Sequence, residues 1–238
     1  MRSDGRRFDE LRRIDAEIGF LKYAGGSCLL TAGNTRVICA ATIEDRVPPF
    51  LTGSGTGWLT AEYGLLPCST QERVQREATS GRLQGRTHEI KRFIGRSLRP
   101  IIDLKALGEK TIIIDCDVIQ ADGGTRTLSV NGAFIALFLL LDKLVKNGEL
   151  PRIPIIDSVA AVSVGIIDGQ PLLDLCYEED VRAEVDMNIV MTGQGRVVEI
   201  QGTAEHNPFT ESELFQMFNL AKKGIHEIIA LERKLLRW

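Results

Sequence analysis

The feature that most constrains the fold is that the chain reads as two versions of one plan. Residues 27–42 read as a hairpin: Cys28-Leu29-Leu30-Thr31, a turn at Gly33-Asn34, then Arg36-Val37-Ile38-Cys39-Ala40-Ala41-Thr42. Residues 186–203 do the same around Gly193-Gln194-Gly195, and the turns with their exits align as Gly-Asn-Thr-Arg-Val-Ile against Gly-Gln-Gly-Arg-Val-Val. Both turns place glycine where a tight connection needs a positive φ. Each half is strand-rich at its start and ends in a long apolar-periodic segment, about 127–146 and 211–235. Gly148, Pro151 and Pro154 interrupt the pattern between them. These signals predict two halves, residues 1–147 and 155–238, packed as one compact unit. Runs of strands followed by a helix, twice over, predict an α/β (α+β) architecture of duplicated β-α units with mixed sheets, not a parallel doubly wound sheet.

Within that plan, residues 158–167 predict a strand, Asp168-Gly169 its turn, and 172–177 a return strand that runs into an acidic stretch. The first half adds a helix over 87–104, a strand over 111–120, and a strand with an irregular loop over 52–69. Hydrophobic residues make up 44% and charged residues 26% of the sequence, the balance of a water-soluble globular chain. The longest apolar run, 133–141, is too short to span a bilayer and reads as a buried helix. The polar start Met-Arg-Ser-Asp-Gly-Arg-Arg lacks the apolar centre of a signal peptide. Five scattered cysteines with no Cys-x-x-Cys pair suggest neither zinc nor a disulfide framework, so a reducing cytoplasm without membrane attachment is expected.

Asp122-Gly123-Gly124-Thr125-Arg126-Thr127 lies between the 111–120 strand and the apolar helical segment. Two glycines let the backbone turn and bring its N–H groups close to a small anion. Thr125 adds a hydroxyl, Arg126 a planar fork, and the following helix start a partial positive charge. That chemistry suits free phosphate, and neither nucleotide-loop pattern, GxxxxGK[ST] or GxGxxG, is present. The competing reading is an ordinary loop with an arginine entering a helix.

Net charge is −3, which argues against indiscriminate coating of nucleic acid, but the charge is unevenly placed. Residues 73–99 carry Arg73, Arg76, Arg82, Arg86, Lys91, Arg92, Arg96 and Arg99 against Glu77 and Glu89. Residues 168–186 invert the balance, with seven acids against Arg182. In an extended segment Asp180, Arg182, Glu184 and Asp186 would share a face. Converging carboxylates there suit Mg²⁺, or a general acid/base pair; spacing leaves both open, beside a plain solvated turn. Arg92, Arg96 and Arg99 fall at i, i+4 and i+7, a stripe suited to guiding a phosphate backbone or simply to facing solvent. Arg86 at a helix start is unfavourable to the dipole unless an anion is near. His88, His206 and His226 are too dispersed to form a ligand set.

Further segments complete the pattern: Arg2-Ser-Asp-Gly-Arg6, Val47-Pro-Pro-Phe50, Gly57-Trp-Leu-Thr-Ala-Glu-Tyr-Gly64, Gly85-Arg-Thr-His-Glu-Ile90, Ile94-Gly-Arg-Ser-Leu-Arg99, Asp186-Met-Asn-Ile-Val-Met-Thr192 and Gln201-Gly-Thr-Ala-Glu205. With them the chain closely resembles the ribonuclease PH family across nearly its whole length. The resemblance implies the ribosomal protein S5 domain 2-like fold in a homo-hexameric ring, a trimer of dimers. It implies Mg²⁺-assisted phosphorolysis of tRNA precursors and other RNA 3′ ends, with inorganic phosphate as co-substrate and nucleoside diphosphates released. By the same resemblance Arg86, Gly124, Thr125 and Arg126 hold phosphate, and Asp180 and Asp186 are catalytic, metal-associated carboxylates. Arg73, Arg76, Arg92, Arg96 and Arg99 would meet RNA or support the site. Cys68 stands where the family usually has arginine, which implies altered RNA contact. The rival reading, a non-catalytic RNA-binding ring subunit of exosome type, predicts a damaged phosphate loop or carboxylates, and both are present.

Overall fold

The computed structural model describes residues 2–81, 84–205 and 207–238; Arg82 and His206 lie outside the described residues. The first half holds strands β1 (Ile14–Ile18), β2 (Gly26–Ala32), β3 (Thr35–Glu44), β4 (Trp58–Leu65) and β5 (Thr111–Gln120). Its helices are α1 (Glu77–Ser80), α2 (Gly85–Leu98), α3 (Leu104–Leu107) and α4 (Thr125–Lys146). The second half holds β6 (Val159–Ile167), β7 (Gln170–Leu173), α5 (Tyr177–Arg182), β8 (Val185–Thr192), β9 (Val197–Ala204) and α6 (Glu211–Leu236).

Two sheets result, with orders β1-β2-β3-β5-β4 and β7-β6-β8-β9. The first is mixed, because β4 runs parallel to β5 and α2 supplies the crossover. The second is wholly antiparallel, so the parallel pairing of the fold lies in the first sheet. The second sheet's connections are hairpins or the short α5, and none is long enough to cross over to a parallel neighbour. Both glycine-turn hairpins form as expected, β2 with β3 and β8 with β9.

Helix α4 is the shared centre. It packs on β2, β3 and β5 on one side and on β6 on the other. By length and hydropathy it could cross a membrane, yet 78% of its most apolar window is buried inside the protein. Being covered on both sides explains why its apolar residues follow no single stripe. Strand β6 is buried at every position for the same reason. Val159 and Ala161 join the α4 core, while Ala160, Val162, Val164 and Ile166 join a second core under α6. Helix α6 begins at Thr210, whose hydroxyl accepts from the Glu213 N–H while Glu213 reaches back, a capping box that fixes its start.

Two expectations shift. The 87–104 helix is α2 over Gly85–Leu98, closed by a turn of 3₁₀ helix at Arg99–Ile101, because Pro100 cannot donate the next helical bond. The return strand ends at Leu173, because Asp174 takes φ +55° and turns the chain toward α5.

Close approach of α4 to β2 depends on Gly26, where an added Cβ would lie 2.2 Å from Ala136 O and 2.5 Å from Leu140 N. Gly26→Ala therefore lowers stability by about 1–3 kcal/mol, the cost of overpacking a filled core. Urea unfolding measures it, and an unchanged midpoint contradicts the contact.

Candidate active site

The glycine loop joins β5 to α4, with Gly123 at φ +76° and Gly124 at φ +64°. A Cβ on Gly123 would stand 2.6 Å from both Leu175 O and the Cys176 carbonyl carbon, so only glycine lets the loop lie against the backbone entering α5. The loop's shape is imposed from outside. Arg12 Nη1 donates to Asp122 O at 2.7 Å, and Thr35 Oγ1 donates to Gly123 O at 2.7 Å. The rest of the Arg12 guanidinium grips Asp174, Nε to Oδ2 at 3.0 Å and Nη2 to Oδ1 at 2.7 Å. Both side chains are buried. Burial pushes the Asp174 carboxyl up, but Arg12, with a smaller contribution from Arg6, holds it below the usual carboxylate range.

No side chain caps α4, which leaves the helix start facing the loop. Thr125 is buried, its Oγ1 3.0 Å from Tyr63 Oη. Arg126 is partly buried, with Nη1 donating to Gln201 Oε1 at 2.6 Å and Nη2 3.0 Å from Glu89. Arg86 is exposed at the second position of α2, where no side chain caps the helix.

Asp180 lies on α5, a correction to the extended geometry in which Asp180, Arg182, Glu184 and Asp186 would share a face. A helical turn forms because Glu179 accepts from the Cys176 N–H at 3.0 Å and is itself held by Arg2, Nε to Oε1 and Nη2 to Oε2 at 2.7 Å each. Asp186 is the second residue of β8, opposite Gly165 of β6 and Thr203 of β9. The two aspartates nonetheless share one neighbourhood. Burial, then the Asp180 charge, pushes the Asp186 carboxyl up to about 6, with Arg126 and Arg86 opposing and Glu205 adding. Asp180 is raised too, by the protein packed around its carboxyl, and is pulled back by Arg86 and Arg126. Arg86, Arg126, Asp180 and Asp186 therefore converge, as does the glycine loop through Gly123.

The arginine stripe divides. Arg73, Arg76 and Arg92 are exposed. Arg96 is paired with Glu199 of β9, Nε to Oε2 at 3.0 Å. Arg99 lies over the Trp58 ring at 4.3 Å and donates to Leu59 O at 2.9 Å, with Phe50 edge-on to Trp58. Helical spacing puts the three on one face; the neighbouring strands β4 and β9 then engage two of them. Cys68 is exposed with a free thiol.

Sequence reasoning missed Arg2, Arg12, Thr35, Asp174 and Glu179, all of which build the loop and α5 from beneath. Glu89, Gln201 and Glu205 were also without assigned roles. A signal existed: arginines and carboxylates close to long apolar strands, where a charge persists only when paired. Among the described residues no group of three or more His, Cys, Asp or Glu side chains could enclose a metal ion. Two neighbouring carboxylates do fit a cation that keeps most of its shell as water, since it would offset the desolvation that raises both groups and the Asp180 charge that adds to the rise at Asp186.

Two family descriptions match the chain, 3′ exoribonuclease family domain 1 over residues 10–140 and domain 2 over residues 157–224. Ribonuclease PH of Syntrophomonas wolfei is 56% identical over 235 residues, covering 99% of this chain and 98% of that protein. Ribonuclease PH of Bacillus subtilis is 56% identical over 237 residues, covering 99% and 97%. The chain belongs to the ribonuclease PH family. It is a phosphorolytic 3′ exoribonuclease, an enzyme that transfers nucleotidyl groups from RNA to phosphate. The fold is that of rice (Oryza sativa) Rrp46, with a TM-score of 0.79 at 19% identity over 99% of this chain and all of that one. The Archaeoglobus fulgidus exosome solved with RNA bound to the active site has a TM-score of 0.82 at 20% identity, covering 96% and 91%.

Asp186 sets a pH signature. Its folded pKa of about 6 stands above the ordinary 3.8, so the native state binds a proton more tightly than the unfolded chain. Stability from this group is complete below the unfolded value and is lost as pH rises through about 6. In metal-free buffer Asp186→Asn therefore raises Tm at pH 7.5 and leaves it nearly unchanged at pH 4. A Tm increase of equal size at both pH values contradicts the crowding.

Proposed function

We propose that this protein trims the 3′ ends of tRNA precursors and related RNAs, with inorganic phosphate attacking from the Gly124–Thr125–Arg126 cradle beside Asp180 and Asp186. The observation that carries it is the wedge of Gly123 against the backbone of Leu175 and Cys176, which sets a phosphate-type loop next to the helix bearing Asp180.

In the reaction a phosphate oxygen forms a bond to the terminal phosphodiester phosphorus, and the bond from phosphorus to the preceding 3′ oxygen breaks. The terminal residue leaves as a nucleoside diphosphate, and the shortened RNA takes up a proton on its new 3′ hydroxyl. Run backwards, the same steps add a nucleotide from a diphosphate. Arg86 and Arg126 offset the repulsion between two anions brought into contact, and the helix amides and the Thr125 hydroxyl orient the nucleophile. Asp180 and Asp186 are the residues that would hold Mg²⁺. When bound, the cation supplies stabilisation of charge developing on the phosphoryl oxygens. Alternatively one of the two carboxyls handles the proton of the 3′ hydroxyl, a role to which a pKa near 6 is suited.

RNA is led in by Arg73, Arg76 and Arg92, with Arg96 and Arg99 as the supporting inner row. The chain would act as a homo-oligomer, a hexamer arranged as a trimer of dimers. Large apolar side chains left open on the single chain, among them Tyr23 at 92% and Phe50 at 70% exposure, support burial by further copies. Residues 1–147 supply the phosphate loop and arginines, residues 155–238 the carboxylates, in one structural unit. A reducing cytoplasm suits the thiols of Cys39 and Cys116, which lie 3.6 Å apart and unlinked.

With phosphate present the protein shortens RNA and releases nucleoside diphosphates; without phosphate it does not. Equal cleavage in both conditions, or monophosphate products, overturns the proposal. Arg126→Ala raises KM for phosphate by about 10- to 100-fold, since hydrogen bonds to a charged group contribute about 1.5–3 kcal/mol. Asp180→Asn removes turnover while RNA binding by filter assay persists.

A further inference from the structure

Arg126 does not stand alone at the loop. Its guanidinium has five N–H donors in a fixed plane. Glu89, from α2 in the first half, meets the far end of that plane, with Oε2 3.0 Å from Nη2 and Oε1 3.5 Å from Nη1. Gln201, from β9 in the second half, accepts from Nη1 at 2.6 Å. Gln201 Nε2 in turn donates to Glu89 Oε1 at 3.1 Å and to Glu199 Oε1 at 2.9 Å, and Glu199 is fastened by Arg96. The face of the guanidinium is backed by the Phe93 ring, 5.8 Å from its centroid. Both Nη groups are thus committed on the side remote from the chain, and Nε has no hydrogen-bond partner among the described residues. The edge left over is the one formed by Nε–H and the neighbouring Nη2–H. These two parallel donors match two oxygens of a tetrahedral oxyanion.

We propose that Glu89 and Gln201 are positioning residues that hold Arg126 with its Nε–Nη2 edge presented to phosphate, so that the fork is set before the nucleophile arrives. The inference rests on the reading that Arg126 binds the attacking phosphate. An unclamped arginine would have to give up its rotamer freedom at each binding event; a clamped one has already done so. The clamp is built from both halves of the chain around a helix that belongs to the first, so the phosphate fork takes its final direction only when β9 has docked on α2. Glu89 also carries negative charge toward the incoming anion. The alternative that it competes with phosphate for Arg126 predicts an effect of the opposite sign.

The experiment is steady-state phosphorolysis of a labelled RNA with phosphate and RNA varied separately, for Glu89→Gln, Gln201→Leu and Arg126→Ala, each checked for folding by its melting curve. Glu89→Gln and Gln201→Leu raise KM for phosphate by about tenfold, the loss expected when a pre-set fork must be ordered at binding, and leave KM for RNA unchanged. A fall in KM for phosphate in Glu89→Gln overturns the inference, because it makes Glu89 a competitor. Unchanged KM for phosphate in both variants, with Arg126→Ala raising it, also overturns the inference and leaves the phosphate reading intact. Unchanged KM for phosphate in Arg126→Ala itself sinks the phosphate reading first. If Glu89→Gln fails to fold, Gln201→Leu decides: an unchanged KM for phosphate overturns the clamp.

Discussion

The buried pair of Arg12 and Asp174 is the interaction on which the site depends. One guanidinium simultaneously holds a carboxylate of the second half and the carbonyl oxygens of Asp122 and Gly123 in the first. Removing two charges from water costs several kcal/mol each, and the attraction offsets that only when every donor finds a partner. Here each of the three guanidinium nitrogens has a partner, the Arg12 backbone N–H donates to Asp174 as well, and Thr35 shares the loop carbonyl. The pair is thus better understood as a locator than as a source of net stability. It fixes the register of the glycine loop against the turn at Asp174, and that turn sets the direction of α5.

A second tier repeats the device. Arg2 clamps Glu179 and also donates to Leu173 O and Asp174 O, so α5 is anchored on the side away from the loop. Asp180 and Asp186 are then brought together at a cost visible in the raised pKa of both: the protein packed around each carboxyl raises it, and the Asp180 charge adds to the rise at Asp186. Such crowding destabilises the isolated fold and is tolerated where the groups have chemical work to perform. The two arginines that oppose it, Arg86 and Arg126, are supplied by the first half. The placement of these arginines and of the two carboxylates is therefore one electrostatic problem solved across the junction of two sheets.

Much of this was legible from residue order. The long strand β5, helices α4 and α6, and both glycine-turn hairpins follow from local periodicity and turn chemistry, which act within a few residues. The glycine loop was legible for the same reason. Asp180 was misread as extended because α5 is only six residues long and is held by Arg2, 177 positions away. The pairing of Arg12 with Asp174 was not legible, because charges beside apolar strands signal that partners exist but not which residue 162 positions away supplies one. The arginine spacing over 92–99 could not reveal that Arg99 falls in the 3₁₀ turn after α2, nor that β9 and β4 engage Arg96 and Arg99. Short elements and long-range ion pairs are where sequence reading stopped, and they are what orients the site.

Arg12 and Asp174 act as one unit that couples the halves. A double-mutant cycle of Arg12→Met and Asp174→Asn, read by urea unfolding and by phosphorolysis on the same samples, tests it most directly. Each single change costs about 3–5 kcal/mol, as for a broken buried pair. The double change should fall short of their sum by more than about 1 kcal/mol, with phosphorolysis impaired in both singles even where they remain folded. Additive stability losses together with full phosphorolysis in the folded singles would contradict it.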